Sequence, residues 1–576
     1  MIDPSLALAA VVRKATIDAL GADFADVDPA VRRSDRADFQ ADLAMGLARR
    51  AKMAPRPIAE AIVAKIEQGD LVEKVEVAGP GFLNFTLRGS WLAEAATAAL
   101  ADERSGAPRS EAPETIVIDY SSPNVAKEMH VGHLRSTVIG DSLARVLQFR
   151  GHEVIRQNHL GDWGTPFGML IEHLLDVGAE RAEEDLAVGE LGAFYKAARA
   201  KFDADPAFAE RSRRRVVSLQ SGDAETLDRW RMLVEVSKKY FDSVYRKLGI
   251  TMKAEDACGE SFYDRRLAPL AGELEGSGKA TISDGALCLF PAGFQNKEGQ
   301  PLPMIVRKSD GGFGYAATDL AAIRYRLGDL GANRVLYVVG APQSQHFAML
   351  FEAAKALGWL AAPRRAEHVA FGSVLGTDKR MFKTRSGDTV RLVDLVDAAV
   401  ERADAVIGEK NPDLEPAVRS EVARKVGVGA IKYADLSSDR IKDYVFDLER
   451  MVSFEGNTAG YAQYAYARAR SIFRKAEGAK PGAIQVTEPA ERALVLELLA
   501  FGGVVKLVEE TLEPHRLAGY VYAVALAFTA FYEKCPILKS DVGPATRASR
   551  LALVELGSKV IARALDLLGI EVPERM

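Results

Sequence analysis

Two stretches of the chain join a short apolar run to a loop and a helical pattern, and this order limits the folds open to it. The first run, Thr115–Tyr120, precedes a loop and a helical pattern over residues 133–150 that Gly151 ends. The second run, Val335–Val339, precedes a loop and a helical pattern over residues 346–357. Short, nearly continuous apolar runs indicate strands buried in a parallel sheet. We therefore predict a doubly wound, Rossmann-like α/β domain.

The chain has 576 residues, which is too many for one hydrophobic core, so we expect several domains. Residues 1–112 mix helix and strand patterns, which predicts an α+β domain. The α/β pattern covers residues 113–410, with a charged helical insertion at about 180–260. Helical periodicity dominates the rest, which we divide into a helical connector over 411–455 and an all-α domain over 456–576.

The first of these domains gives three local predictions. Residues 59–66 suit an amphipathic helix. Leu71–Val77 and Phe82–Leu87 have the pattern of strands, and Gly79-Pro80-Gly81 between them favours a turn.

The charge balance gives no general support for nucleic-acid binding, since the net charge is −5 and the pI about 6.0. If RNA binds, local patches must bind it. Arg211 with Arg213–Arg215 is one such patch, although a basic run is more typical of a solvated helix face. The longest uncharged run, Leu517–Tyr532, is shorter than the roughly 20 residues of a membrane span. We expect it to be a buried helix.

The three cysteines, Cys258, Cys288 and Cys535, are far apart and form no C-x-x-C pair. This spacing argues against a disulfide framework and against a structural zinc site, so we expect reduced thiols and no zinc. The amino terminus lacks the basic start and long apolar stretch of a signal peptide. We therefore expect a cytoplasmic protein without a membrane segment.

The loop after the first strand carries the most informative motif, Ser-Pro-Asn-Val-Ala-Lys-Glu-Met-His-Val-Gly-His over residues 122–133. A loop that opens a helix favours phosphate, because free N–H groups and the helix dipole attract anions. His130 and His133 share a helix face and can both donate to phosphate oxygens. Lys127 adds positive charge, and Gly132 permits a close approach to the backbone. The alternatives are capping histidines, core histidines or a metal pair.

This motif resembles the HIGH-type motif of class I aminoacyl-tRNA synthetases, and its longer form is similar to that of the arginyl enzymes. The resemblance implies that Asn124 contacts the amino acid and that Lys127, His130 and His133 assist ATP, with Gly132 beside it. It also implies an arginine–tRNA ligase that uses ATP with Mg²⁺, binds tRNA(Arg) and L-arginine, and acts as a monomer. No protein metal ligands are expected.

A second segment of the α/β domain resembles the family's KMSK loop. Met381-Phe382-Lys383-Thr384-Arg385 follows Phe371-Gly372-Ser373-Val374-Leu375-Gly376. The resemblance implies that Lys383 and Arg385 act on the pyrophosphate and that Val374 and Phe382 lie against the nucleotide. Thr384 replaces the usual second lysine, so Lys127 is expected to carry more of that role. The alternative is a basic surface loop.

Four side chains resemble the family's arginine pocket and its surroundings. Tyr315 and Asp319 share a helix face, and a carboxylate suits the planar fork of a guanidinium. By resemblance Tyr315, Asp319 and Gln343 hold arginine and His346 lies near the nucleotide. Alone, Tyr and Asp at this spacing are also typical of ordinary helix surface. Pro166 departs from the family, which usually has glutamine there.

Two further segments resemble the parts of arginyl enzymes that contact transfer RNA. Gly-Phe-Leu-Asn-Phe-Thr-Leu over residues 81–87 is similar to the stretch that meets an unpaired base, which points to Phe82 and Asn84. A buried strand is the alternative for Phe82. Residues 454–466 and the ending Pro573–Met576 resemble the helical anticodon-binding domain.

Two rival functions remain open at this stage. One is a different synthetase with the same loop, such as a cysteinyl-type or glutamyl-type enzyme. The pocket residues Tyr315, Asp319 and Gln343, and the lack of clustered cysteines, argue against it. The other is a non-catalytic RNA-binding relative, which the intact His130 and His133 argue against.

Overall fold

The computed structural model describes residues 3–164, 166–178, 191–380, 382 and 390–576. The chain divides into two compact units. Unit 1 comprises Met1–Arg109, Val406–Gly429 and Val452–Met576, and unit 2 comprises Ser110–Ala405 and Ala430–Met451.

The amino-terminal part of unit 1 is a four-stranded antiparallel sheet with helices. Its elements are α1 (Pro4–Leu20), β1 (Val31–Arg33), β2 (Phe39–Ala41), α2 (Leu43–Ala51), α3 (Pro55–Val63), β3 (Val72–Ala78), β4 (Phe82–Leu87) and α4 (Gly89–Ala101). The strand order is β1-β2-β4-β3. Both strands predicted here are confirmed, with the first displaced by one residue. The predicted helix over 59–66 is wrong in its bounds, because Pro55 starts α3 earlier, at the position where a helix tolerates proline.

Unit 2 contains the predicted α/β pattern. From residue 110 to residue 451 the elements are β5 (Thr115–Asp119), α5 (Val131–Arg150), β6 (Glu153–Gln157), α6 (Pro166–Val177), α7 (Leu191–Ala204), α8 (Pro206–Gln220), α9 (Ala224–Leu248), α10 (Glu260–Gly276), β7 (Thr281–Ser283), β8 (Ala286–Leu289), β9 (Met304–Arg307), α11 (Tyr315–Leu327), β10 (Arg334–Tyr337), α12 (Ser344–Ala356), β11 (Arg365–His368), β12 (Val374–Leu375), α13 (Leu392–Lys410), α14 (Pro416–Leu436), β13 (Tyr444–Val445) and α15 (Leu448–Met451). The unit boundaries at residues 405 and 429 fall inside α13 and α14.

The central sheet of unit 2 is parallel and has the strand order β11-β10-β5-β6. From β5 the chain continues to β6 on one side, and from β10 it continues to β11 on the other. The predicted doubly wound sheet is therefore confirmed, with its topological switch point between β5 and β10. Ligands of such sheets bind at the carboxyl ends of the strands, where the order reverses.

The core of this sheet forms because β5 is apolar on both faces. Ile116, Val117 and Ile118 have no exposed surface, and neither has Val335 of β10. The helix α5 ends at Gly151, as the sequence predicted, and the φ of 97° at this glycine is the left-handed conformation common after a helix. The strands β7, β8 and β9 form a small antiparallel sheet, and β12 pairs with β13 in parallel; neither was predicted.

The basic run of the insertion lies on α8 and is paired with carboxylates. Arg211 and Arg215 lie 3.1 and 2.7 Å from Glu172. Arg213 and Arg214 pair with Glu210 at 3.4 and 3.2 Å. These contacts favour the solvated helix face over the RNA patch.

The carboxyl-terminal part of unit 1 is helical, as predicted. Its helices are α16 (Ala459–Lys475), α17 (Pro489–Leu499), α18 (Phe501–Thr511), α19 (His515–Lys534) and α20 (Pro544–Leu567). The uncharged run Leu517–Tyr532 lies in α19, where Leu517, Val521 and Phe528 are fully buried. Across the described ranges, no helix is long and apolar enough to cross a membrane.

Candidate active site

The histidine motif lies at the switch point, where the loop from β5 enters α5. His130 is the N-cap of α5, and its Nδ1 accepts a hydrogen bond from the Gly132 N–H at 3.0 Å. The Nδ1 of His133 accepts from the His130 N–H at 3.1 Å. Since Nδ1 of each ring is an acceptor, the neutral rings carry their protons on Nε2. The alternative that these are capping histidines therefore accounts for the Nδ1 atoms. The Nε2–H group of each ring is still able to donate to a ligand.

The surroundings of both rings lower their pKa values, which favours the neutral form. Burial lowers the pKa of His130, and the charge of Lys127 lowers it further. Burial, followed by the neighbouring His130, lowers the pKa of His133 to about 3. The ring centroids are 4.1 Å apart. A side chain at Gly132 would place its Cβ 2.7 Å from the His130 ring, so glycine lets this ring take its capping position.

Asn124 and Lys127 reach the surface from the same loop. Asn124 is exposed and lies against Gly161 of the loop after β6, where a Cβ would overlap the Asn124 amide oxygen. The Lys127 ammonium lies 4.5 Å from the centre of the Tyr195 ring on α7. A cation over an aromatic face is stabilised without losing its charge. The loop thus presents an amide and an ammonium at the carboxyl end of β5.

The predicted arginine pocket is built from α11 and the loop after β10. Asp319 Oδ2 lies 2.6 Å from Nε2 of His346 on α12, and this hydrogen bond raises the pKa of His346. Tyr315 begins α11 and is 79% exposed. Gln343 is exposed at the turn before α12. The structure thus joins Asp319 to His346 and leaves Tyr315 open to solvent.

Glu260 is a neighbour of Asp319 that the sequence analysis missed. It lies in the first turn of α10. Burial, followed by the charges of Asp162 and Asp319, raises the pKa of its carboxyl to about 7. A region with this much carboxylate charge favours a cation. Only the folded structure identifies Glu260, because an acidic residue in a first helical turn is common.

The KMSK-like segment is only partly within the described residues. Val374 is buried in β12, and the Phe382 N–H donates to its carbonyl at 3.3 Å. The Phe382 ring packs against Phe446 at 4.9 Å between centroids. Lys383 and Arg385 lie outside the described residues, as do Met381 and Thr384. In the part of the chain that is described, no cluster of three His, Cys, Asp or Glu side chains could hold a metal ion.

Three family models match the chain. Residues 95–448 match "tRNA synthetases class I (R), catalytic domain". Residues 462–576 match "DALR anticodon binding domain", and residues 6–87 match "Arginyl tRNA synthetase N terminal domain". An arginine–tRNA ligase of Thermobifida fusca is 55% identical over 100% of both chains. That of Frankia casuarinae is 51% identical over 98% of this chain and 97% of its own.

The chain belongs to the arginyl-tRNA synthetases. Solved structures of the family agree with the fold of this synthetase. The arginyl-tRNA synthetase of Plasmodium falciparum covers 99% of both chains at a TM-score of 0.83 and 28% identity. That of Thermus thermophilus covers 99% of this chain and 100% of its own at a TM-score of 0.82 and 28% identity.

The outer face of β4 displays the two residues predicted to meet RNA. Phe82 and Asn84 are half-buried, while Leu83 and Phe85 between and beside them are fully buried. Asn84 accepts a hydrogen bond from Gln40 Nε2 at 2.7 Å on the neighbouring strand β2. The buried-strand alternative describes Leu83 and Phe85, whereas Phe82 keeps part of its surface exposed. The RNA contact of Phe82 stays a prediction.

The unusual Pro166 of the synthetase occupies a position that suits proline. It is exposed and is the first residue of α6, where an N–H would lack a helical partner in any case. The helix therefore begins normally without the glutamine that the family usually has there.

Proposed function

We propose that the crevice at the carboxyl ends of β5 and β10 is the site at which this arginine–tRNA ligase activates arginine. The chain converts L-arginine and ATP to arginyl-adenylate and pyrophosphate, then transfers the arginyl group to the 3′-terminal adenosine of tRNA(Arg) and releases AMP. The observation that carries the assignment is the pair of Nε2–H donors of His130 and His133, fixed by backbone capping at the switch point.

Arginine binds through a carboxylate pair in this proposal. The guanidinium fork takes both oxygens of Asp319, with Glu260 adding negative charge and Tyr315 covering the alkyl stem. Nε2 of His346 lies 2.6 Å from one Asp319 oxygen. The guanidinium of arginine takes the place of His346 on this oxygen, and the imidazole of His346 becomes available to the nucleotide. The amides of Asn124 and Gln343 can donate and accept, which suits the α-ammonium and carboxylate of the amino acid.

ATP binds beside it through the start of α5. The arginine carboxylate oxygen attacks the α-phosphorus, a P–O bond forms, and the bond to pyrophosphate breaks. The Nε2–H groups of His130 and His133 and the Lys127 ammonium stabilise the charge on the phosphates by position and electrostatics. Lys383 and Arg385 are assigned to pyrophosphate by motif, and Gly132, Val374 and Phe382 to the nucleotide. Mg²⁺ bound to ATP neutralises part of its phosphate charge.

Transfer RNA contacts are assigned to unit 1. Phe82 and Asn84 present an aromatic face and an amide to an unstacked base. The helices of residues 456–576 bind the anticodon. The proposal includes the predicted division into domains at 1–112, 113–410, 411–455 and 456–576. It also includes a monomeric state, which sedimentation of the isolated protein tests.

The substitution Asp319→Asn tests the pocket, because asparagine keeps the size of the side chain and removes its charge. A lost charged hydrogen bond predicts about a hundredfold fall in kcat/KM for arginine, at the upper end of what such bonds contribute. The KM for ATP should stay within about twofold, since ATP does not contact Asp319 in this assignment. The readout is arginine-dependent ATP–pyrophosphate exchange with tRNA(Arg) present.

Asp329→Asn is the matched control, since Asp329 is exposed two residues beyond the end of α11. It should leave both kinetic constants unchanged. If Asp319→Asn and Asp329→Asn had the same kcat/KM for arginine, the assignment of Asp319 to the arginine pocket would be wrong. A fall in kcat/KM for ATP alone would move it to the nucleotide.

A further inference from the structure

The loop between β5 and α5 has an unusual backbone. Ser121, Ser122 and Ala126 have φ values of 72°, 48° and 60°. Residues with a Cβ rarely adopt this left-handed conformation, because the side chain crowds the backbone carbonyl. Such residues persist where the surrounding structure holds them, and they are frequent at functional sites.

Each of these residues is held at its N–H by a side-chain oxygen from another element. The three bonds, each 2.9 Å long, run from Ser121 N–H to Ser136 Oγ, from Ser122 N–H to Asn158 Oδ1 and from Ala126 N–H to Ser237 Oγ. At Ser121 and Ala126 the side-chain acceptor takes the place of the backbone partner that a regular structure would offer the N–H. The Ser122 N–H also donates to the Tyr120 carbonyl at 3.1 Å. The loop conformation therefore depends on polar side chains outside the loop.

Ser237 lies on α9 and is oriented as an acceptor. Its hydroxyl donates to the Leu233 carbonyl of its own helix at 2.7 Å, so a lone pair remains for the Ala126 N–H. The side chain is fully buried, so water cannot take its place. Ala126 is followed directly by Lys127, which carries the ammonium of the site.

Two turns later on α9, Tyr245 supports the other two held residues. Its hydroxyl accepts from Asn158 Nδ2 at 2.9 Å and lies 2.7 Å from Ser121 Oγ. Either hydroxyl can donate in the contact between Tyr245 and Ser121. A third side chain of α9, the Trp230 indole, donates to the Asp162 carbonyl of the loop after β6 at 2.7 Å.

We propose that α9 is a positioning helix for the active site and that Ser237 is its main positioning residue. Ser237 fixes the backbone at Ala126 and so aims Asn124 and Lys127 at the substrates, without touching a substrate itself. The inference rests on the proposed roles of Asn124 and Lys127. It assigns to the helical insertion a task in the activation step.

The test compares Ser237→Ala, Lys127→Ala and the double variant by kcat/KM for ATP in arginine-dependent exchange with tRNA(Arg). Ser237→Ala should lower this constant about tenfold, the loss expected when a buried N–H loses its acceptor. In the Lys127→Ala background the same change should cost less than about twofold, because coupled residues are non-additive. A merely structural role would lower the active fraction equally in both backgrounds.

Ser243→Ala is the matched control on the same helix. Ser243 is exposed, and its hydroxyl donates to the Tyr240 carbonyl of α9 at 2.7 Å, so its loss should change nothing. If Ser237→Ala does not fold, Tyr245→Phe replaces it in the comparison with Lys127→Ala, because this substitution removes the hydroxyl that supports Ser121 and Asn158.

Two outcomes overturn the inference and are distinguishable. Equal losses from Ser237→Ala in both backgrounds, or no loss in the parent, would reject positioning while leaving the role of Lys127 intact. An unchanged kcat/KM for ATP in Lys127→Ala alone would reject the proposed role of Lys127, and with it this inference.

Discussion

His130 caps the helix α5 through Nδ1, and we propose that its Nε2–H serves the nucleotide. Asparagine places an acceptor where the His130 Nδ1 lies but has no group at Nε2. We therefore expect His130→Asn to keep the cap on Gly132 and the thermal midpoint, and to lower kcat about a hundredfold, as the loss of one transition-state donor does. The measurement is the exchange rate at saturating arginine and ATP, beside thermal unfolding.

His130→Gln is the complementary variant, because its amide reaches the Nε2 position and loses the cap. It should keep more activity and lose about 1 kcal/mol of stability, the usual effect of a missing N-cap.

The pH dependence of kcat tests the protonation state of the two histidines. Since both histidines act as neutral donors, raising the pH through the ordinary histidine pKa of about 6.5 should not lower kcat. A fall in kcat there would mean that imidazolium is the active form.

Glu260 gives the site a second and different pH dependence. The pKa of its carboxyl is raised to about 7, first by burial and then by Asp162 and Asp319. Cationic arginine favours the ionised form, so the proton must leave before arginine binds. We expect kcat/KM for arginine to fall as the pH is lowered through about 7. In Glu260→Gln, kcat/KM for arginine should be lower at neutral pH and should not change with pH in this range. An unaltered pH profile in Glu260→Gln would contradict this assignment.

The sequence could place some of these residues and not others. His130 and His133 are near in sequence and open a helix, so local rules and the resemblance both indicated them. Ser237 contacts Ala126 across 111 residues, and the charge of Asp319 acts on Glu260 only because the fold brings the two near each other. Such long-range contacts leave no mark in a single sequence. The strands β12 and β13 were not predicted for a similar reason, because each has two residues and is defined only by its pairing with the other.

The helix α5 packs on β5 so closely that a glycine is required at their contact. A Cβ at Gly140 would overlap the fully buried ring of Tyr120, directly after β5. We expect Gly140→Ala to destabilise unit 2 by about 1–3 kcal/mol, the usual cost of overpacking a core. Chemical denaturation followed by circular dichroism measures it.

Gly272 is the control, because it lies in the helix α10 of the same unit with nothing within 4 Å of its missing Cβ. Gly272→Ala should stabilise the chain by up to about 1 kcal/mol through helix propensity alone. If Gly140→Ala were also stabilising, the close packing of α5 on β5 would be wrong.

At the scale of the whole molecule, the residues proposed for the chemistry and those proposed for RNA contacts belong to different units. Every described residue proposed to act on arginine or ATP belongs to unit 2, and Phe82 and Asn84 belong to unit 1. The doubly wound sheet was predictable because short apolar runs precede helical patterns, and the helical carboxyl-terminal region was predictable because its helical periodicity extends over many residues. The division into two units was not, since unit 1 is assembled from both ends of the chain.

The most direct test of the account is ATP–pyrophosphate exchange measured with arginine and with each other amino acid, with and without tRNA(Arg). We predict exchange with arginine alone among the amino acids, dependent on added tRNA(Arg). No exchange with arginine under either condition would contradict the assignment of an active synthetase. Exchange with a different amino acid would preserve the adenylation chemistry and contradict the pocket formed by Asp319 and Glu260.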